Sequence, residues 1–119
     1  PPVEGGAHFA QRWAFLRGIV DPDMSDASLH LAVVTYYSNT PGADHGHAAA
    51  YEWDLPGVLP AIRARTLVLS SRGDPIHAHG ARILARRPDW RGAELTTGSA
   101  SVLEHAGDWV GPVLDFIRA

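Results

Sequence analysis

The sequence contains no cysteine and no lysine. Without cysteine the chain forms neither disulfides nor thiolate metal sites, and it has no cysteine nucleophile. All ten basic residues are arginines, they form no cluster, and thirteen acidic residues give a net charge of −3. This balance favours neither nucleic acid nor an anionic membrane surface as a partner. The apolar runs are far shorter than the roughly 18 residues of a membrane span, and the opening residues do not resemble a signal segment. We therefore expect a soluble, cytoplasmic protein.

The composition is that of a globular protein, with 45% hydrophobic residues, and one stretch organises the rest. Residues 66–74 read T-L-V-L-S-S-R-G-D and are followed by Pro75. This pattern predicts a buried strand that ends in a tight turn. Because ligands and catalytic groups collect at the carboxyl ends of strands in open α/β sheets, Asp74 is the first candidate for catalysis. The alternative is that Asp74 turns the chain or caps the following helix.

The part of the chain before this strand is predicted to be helical. Apolar residues at helical spacing predict a first helix from residue 8 to about residue 17. A second helix, capped by Ser25 or Asp26, carries an apolar face with Leu29 and Val33. A short third helix is expected over residues 48–53.

After the strand, helix and strand patterns alternate. Residues 78–87 suit a helix that Pro88 stops, and residues 93–97 suit a second strand. The last helix has an apolar stripe in which Pro112 is acceptable only near the helix beginning. The stripe consists of Trp109, Val113, Phe116 and Ile117. This order is typical of a parallel α/β sheet with a right-handed crossover, so we predict the α/β fold class.

The predicted sheet is too small to stand alone. Parallel sheets are buried on both faces and seldom consist of two strands, yet the sequence offers only two. We therefore expect another segment or polypeptide to complete the sheet.

From Leu59 onward the residues resemble the C-terminal half of the α/β-hydrolase fold family. Leu59, Ile62, the run 65–69 and Gly73-Asp74 are similar to the entry into the family's seventh strand, although Arg65 stands where proline is usual. Residues 98–117 are similar to the segment after the eighth strand and to the final helix. The resemblance implies that residues 54–119 are the C-terminal core segment of an α/β-hydrolase, two parallel strands with flanking helices. Residues 1–53 would form a small helical cap or lid before it.

In this family a nucleophile, an acid and a histidine follow one another along the chain. Asp74 matches the acid. No Gly-x-Ser-x-Gly-like elbow is present, because the nearest string, residues 98–102, lacks the second glycine and follows the acid. The resemblance implies that the nucleophile and the oxyanion hole lie on a companion polypeptide or N-terminal fragment. This chain alone is then not expected to hydrolyse a substrate.

The family's histidine falls on Ser99 in this sequence. A hydroxyl does not hold a proton near neutral pH as imidazole does, so either the site is degenerate or another histidine serves. His105, at the start of the last helix, is the catalytic candidate if a curled loop brings it toward Asp74. The alternative is that His105 is a surface or capping histidine.

Two histidine pairs raise the question of a metal site. His45 and His47 lie in the helical region, whereas His77 and His79 follow Asp74. Residues i and i+2 of a helix point about 200° apart, which makes a poor chelate. Since no third ligand has suitable spacing, we predict no metal site and no cofactor.

Aromatic residues are frequent in the helical region, and four of them are candidates to line an apolar substrate pocket. These four are Trp13, Tyr36, Tyr37 and Trp53. The alternative is that they form the core of the helical region itself.

Three functions are compatible with these features. In the first, the assembled protein hydrolyses a small, apolar ester-like or carbonyl substrate, and Asp74 orients a catalytic histidine. In the second, which Ser99 favours, the protein is a catalytically degenerate pseudo-hydrolase or a non-hydrolytic small-molecule-binding protein. In the third, the chain is an accessory subunit that completes a sheet. None of the three predicts a nucleic-acid or membrane partner.

Overall fold

The computed structural model describes residues 3–38, 45–98 and 104–119. These ranges contain six α-helices and two strands. The helices are α1 (Ala7–Arg17), α2 (Asp26–Ser38), α3 (His45–Glu52), α4 (Leu55–Val58), α5 (Ala78–Arg86) and α6 (Ala106–Arg118), and the strands are β1 (Leu67–Ser71) and β2 (Arg91–Leu95). Single 3-10 turns lie at Glu4–Gly6 and Leu59–Ala61. The predicted α/β class is confirmed.

The two strands pair in parallel, with α5 between them along the chain. Leu67 lies opposite Arg91, and Ser71 lies opposite Leu95. The predicted parallel pairing with an intervening helix is therefore confirmed, but β2 spans residues 91–95 rather than 93–97. The Arg91 N–H donates to the Thr66 carbonyl at 3.1 Å, so backbone pairing begins before the side chains become apolar.

Helices α1 and α2 pack side by side. Leu29 and Val33, which the periodicity places on the inner face, are buried. Ser25 caps α2, because its Oγ accepts a hydrogen bond from the Ser28 N–H at 3.2 Å. Arg17 at the end of α1 donates to the Met24 carbonyl at 2.7 Å and pairs with the Asp26 carboxylate at 2.6 Å. Polar contacts therefore join the end of α1 to the beginning of α2, in addition to the apolar packing between the helices.

Helix α5 lies close against β1 because Gly80 carries no side chain. A Cβ atom at this position would lie 2.9 Å from the Ser70 Cβ, well inside van der Waals contact. After the helix, Arg87 donates to the carbonyls of Leu59 and Ile62 and stacks over Trp90 at 4.4 Å. These contacts fix the end of α5 to the turn that precedes β1.

Helix α6 carries the predicted stripe and begins directly after His105, where the last helix was expected to start. The expectation that Pro112 is acceptable only near the helix beginning is wrong, because the helix continues on both sides of Pro112. Trp109, Val113 and Phe116 are half-buried, whereas Ile117 is 66% exposed. Arg65 donates to the Phe116 carbonyl at 2.8 Å and lies over the Phe116 ring. Packing of α6 on the sheet is therefore incomplete at its outer edge.

The turn between α1 and α2, residues 21–25, connects the helical pair to the sheet segment. The Gly98 N–H donates to the Asp21 Oδ1 atom. Glu104 accepts hydrogen bonds from the Ser25 N–H at 2.9 Å and from the Ser25 hydroxyl. We call residues 21–25 the junction turn.

Among the described helices, none combines the length and apolar composition that crossing a membrane requires.

Candidate functional site

A cavity of about 200 Å³ lies at the carboxyl end of β1. Its polar lining comes from Ser70, Ser71, Asp74, His77 and His79. The strand ends at Ser71, the chain turns, and α5 begins at Ala78, so the strand and the first turn of the helix form two walls. The turn passes close to the end of β2, where a Cβ atom on residue 73 would lie 2.8 Å from the Cα of residue 98. Glycine at both positions permits this close approach.

Asp74 lies half-buried in this cavity. Its Oδ1 accepts a hydrogen bond from the Ile76 N–H at 2.8 Å, and its carbonyl accepts one from the His77 N–H at 2.9 Å. Within the described ranges the other carboxylate oxygen has no hydrogen-bond partner. Asp74 therefore shapes the turn and also presents an oxygen to the cavity, so the two sequence interpretations are compatible.

His77 is held by a carboxylate that sequence reasoning missed. Its Nε2 lies 2.8 Å from the Glu94 Oε2, and the Arg72 Nε donates to the Glu94 Oε1 at 2.5 Å. Hydrogen bonds from Arg72 and then His77 lower the pKa of Glu94 below its ordinary value. Only the parallel register, which sets Glu94 opposite Ser70, brings Glu94 to this end of the sheet. Because the register is a tertiary property, no local sequence signal indicates the contact.

The second catalytic candidate, His105, lies elsewhere. It precedes α6, and its Nε2 is 3.6 Å from the Asp23 Oδ1 of the junction turn. Within the described residues its carboxylate neighbour is therefore Asp23 rather than Asp74. Ser99, at the position of the family histidine, lies outside the described residues. Beside His105, hydrogen bonds from the Ser25 and Ser28 hydroxyls lower the pKa of Glu104 to about 2.

Among the four aromatic candidates, Trp13 lines a cavity. It contributes to an apolar groove of about 350 Å³ between α1 and α2, together with Phe9, Val33 and Val34. This groove shares no lining residue with the cavity at Asp74.

The other three aromatic candidates have different surroundings. The Tyr36 ring lies 3.7 Å from the Arg12 guanidinium carbon, and the Tyr37 hydroxyl donates to the His8 carbonyl at 2.9 Å. Trp53 is 56% exposed beyond the end of α3. The Tyr36 and Tyr37 contacts are those of packing within the helical region.

Within ranges 3–38, 45–98 and 104–119, the pairs His45/His47 and His77/His79 are not part of a group of three ligand-type side chains. In the described part of the chain, the group of ligand-type side chains close enough to share an ion is Asp21, Asp23 and His105. The sequence shows Asp21 and Asp23 two positions apart in a turn. It does not indicate that His105, more than eighty positions later, lies beside them.

Comparisons of the chain with protein-family models, with curated proteins and with solved structures find no match. Function therefore rests on the geometry of the chain itself.

Proposed function

We propose that this chain is the cap and C-terminal part of an α/β-hydrolase-fold protein. Combined with an N-terminal fragment or companion polypeptide that carries the nucleophile, it hydrolyses a small, apolar ester-like or carbonyl substrate. The observation that carries the proposal is the Asp74 carboxylate, which lies in a cavity at the carboxyl end of a parallel strand.

The hydrogen bonding of Asp74 suits the acid of a catalytic triad. Such an acid must be fixed in place and must accept a hydrogen bond from the imidazole that serves as the base. The Ile76 N–H fixes Oδ1 at 2.8 Å, which leaves the second oxygen for an imidazole. The polar lining of the cavity around it would accommodate a histidine supplied from outside the described residues.

The open edge of β1 supports the need for a companion segment. In a parallel pair, alternate residues direct their backbone groups to the same neighbour. Thr66 and Arg72 bond to the β2 chain, so Leu67 and Leu69 direct theirs to the other edge. Within the described residues β1 has no strand partner besides β2. Unpaired edge groups of this kind are a template for a further strand.

The dimensions of the molecule agree with this requirement. Its radius of gyration is 16.9 Å, whereas a compact domain of this length has about 13.5 Å. Five hydrophobic residues of the described ranges are buried: Met24, Leu29, Val33, Leu59 and Leu95. A core this small is typical of a segment that packs against a larger body.

The proposal is tested by Asp74→Asn in the assembled protein, with hydrolysis of an activated ester as the readout. Asparagine keeps the acceptor for the Ile76 N–H, so the turn should persist, but it cannot hold an imidazole in the required tautomer. We expect kcat to fall about 10⁴-fold. The matched control is Asp115→Asn, on the exposed face of α6, which should leave kcat unchanged. Equal kcat with and without the Asp74 substitution, both in the wild type and in the Ser99→His background, would disprove the catalytic role.

A second variant examines the base. If Ser99 occupies the position of the histidine, as the resemblance implies, Ser99→His should raise activity by several orders of magnitude. The upper limit of this gain is roughly 10⁶-fold, because removing the histidine of a triad lowers kcat by about that factor. Activity that is already high in the wild type and unaffected by Ser99→His would mean that another histidine acts as the base.

The groove at Trp13 favours a second candidate function, the binding of a small apolar molecule without hydrolysis. The groove is apolar, and its volume of about 350 Å³ suits a small ligand. In that case calorimetry should show ester binding that Trp13→Ala abolishes and Asp74→Asn does not affect.

A further inference from the structure

We propose that Asp21, Asp23 and His105 form a binding site for a divalent transition-metal ion, for which Zn²⁺ is the best fit. One carboxylate oxygen from each aspartate and one ring nitrogen of His105 all lie within 4.8 Å of one another. The two aspartates belong to the junction turn, and His105 is the residue that precedes α6. The site therefore lies where the helical pair meets the sheet segment.

A buried and incompletely bonded carboxylate provides an independent reason for a cation. Asp21 is only 6% exposed, and its Oδ1 accepts the Gly98 N–H. Its Oδ2 is buried and has no hydrogen-bond partner among the described residues. A buried anionic oxygen without a partner is strongly unfavourable, and a bound cation relieves it. The His105 Nε2 is also buried without a hydrogen bond in the described ranges.

The donor set selects the type of metal. Two carboxylates neutralise the charge of a divalent ion, and the imidazole nitrogen disfavours Ca²⁺ and Mg²⁺, which take oxygen ligands. Zn²⁺ binds such nitrogen and oxygen atoms at 2.0–2.2 Å, which separates tetrahedral donors by about 3.4 Å. The His105 Nε2 and Asp23 Oδ1 are 3.6 Å apart, so these two donors need almost no movement.

The surroundings orient at least one ligand. The Gly98 N–H holds Asp21 through Oδ1, as the outer hydrogen bonds of metal sites commonly do. A Cβ atom on residue 98 would fall 2.3 Å from this oxygen, so only glycine leaves room for the carboxylate. Three protein ligands leave a fourth position open to water. Metal binding would fasten the junction turn to the beginning of α6.

The competing explanation is a metal-free cluster in which a protonated His105 pairs with the carboxylates. Isothermal titration calorimetry of the intact protein with ZnCl₂ separates the two explanations. We expect one saturable site per chain and at least a tenfold loss of affinity in Asp23→Asn and in His105→Gln, since even outer-shell changes at metal sites cost 10–100-fold. Asp108→Asn and His30→Gln, which alter exposed residues of the same types outside the cluster, are the matched controls and should bind as the wild type does.

Two further measurements keep the test independent of folding defects. Zn²⁺ should raise the Tm of the wild type but not of His105→Gln, and Mg²⁺ should raise neither. Co²⁺ in place of Zn²⁺ should give visible absorption bands of a four-coordinate site, which His105→Gln abolishes. No saturable Zn²⁺ binding would overturn the proposal. So would Zn²⁺ binding that persists in Asp23→Asn and His105→Gln but disappears when His45 and His47 are replaced.

Discussion

Gly80 determines how closely α5 approaches β1. A methyl group at this position would lie 2.9 Å from the Ser70 Cβ and 3.0 Å from its Oγ. Because Ser70 is part of the strand, its Cβ cannot move without moving the backbone. The wall of the Asp74 cavity that α5 forms therefore depends on the absence of a single side chain.

This dependence predicts opposite effects for two glycine-to-alanine changes. Gly80→Ala should destabilise the protein by about 1–3 kcal/mol, the usual cost of overpacking. Gly111→Ala in α6 meets no atom within 4 Å and should stabilise the protein by about 0.5–1 kcal/mol through the better helix propensity of alanine. Urea unfolding followed by circular dichroism measures both. A Gly80→Ala variant as stable as the wild type would show that α5 and β1 are not in close contact.

The pairing of Glu94 with Arg72 and His77 predicts a dependence of stability on pH. The pKa of Glu94 is lowered in the folded state from its ordinary value of 4.5. The carboxylate therefore stabilises the fold above about pH 4.5, and this contribution is lost as the pH falls and the folded state takes up the proton. The difference in unfolding free energy between the wild type and Glu94→Gln should be present at pH 7 and shrink steadily below pH 4.5. A difference that grows toward acid would contradict this prediction.

At the scale of elements, the N-terminus of α2 carries a side-chain cap. The Ser25 Oγ accepts the Ser28 N–H, and Glu104 from the far end of the chain bonds to Ser25. Such a cap satisfies backbone donors that the first helical turn leaves unpaired. The cap thus connects the start of one helix to the start of another.

We expect Ser25→Ala to destabilise the protein by about 1 kcal/mol, a typical loss for an N-cap serine. Ser38→Ala is the control. Its hydroxyl donates to the Val34 carbonyl on the exposed last turn of the same helix, and such surface changes stay within about 0.5 kcal/mol. Thermal unfolding measures both variants, and equal Tm values would show that Ser25 does not cap α2.

The sequence predicts an element well when residues within that element determine it, and poorly when contacts with distant residues do. The start of helix α2 follows from its cap and strand β1 follows from its apolar run, so both were predicted close to where they lie. The prediction that β1 is buried is wrong, because its residues are only partly buried. The start of β2 was not predicted correctly, because it is decided by backbone pairing with β1. Glycine is unfavourable inside a strand, but at position 92 it leaves room for the Leu84 side chain. A Cβ atom on residue 92 would lie 2.4 Å from the Leu84 Cδ1. The partners of His77 and His105 are equally non-local and could not be predicted.

At the scale of the whole molecule, the open edge of β1 and the small core predict a companion polypeptide. It should copurify with the chain from its natural source, because a paired edge and a larger buried surface lower the free energy of the assembly. Mass spectrometry of the purified sample, combined with size-exclusion chromatography, detects it. A well-folded monomer of 12.8 kDa without a partner would contradict the prediction.

The bond between the Gly98 N–H and Asp21 makes one amide proton a reporter for the whole molecule. This proton is shielded only while the junction turn is seated against the end of β2, whereas amides inside α2 or β1 are protected by their own element. In hydrogen–deuterium exchange, its rate therefore measures the free energy of separating the two halves rather than of melting either one. Exchange at this single site therefore reports how often the junction turn separates from the segment after β2, in the free chain and after any partner has bound.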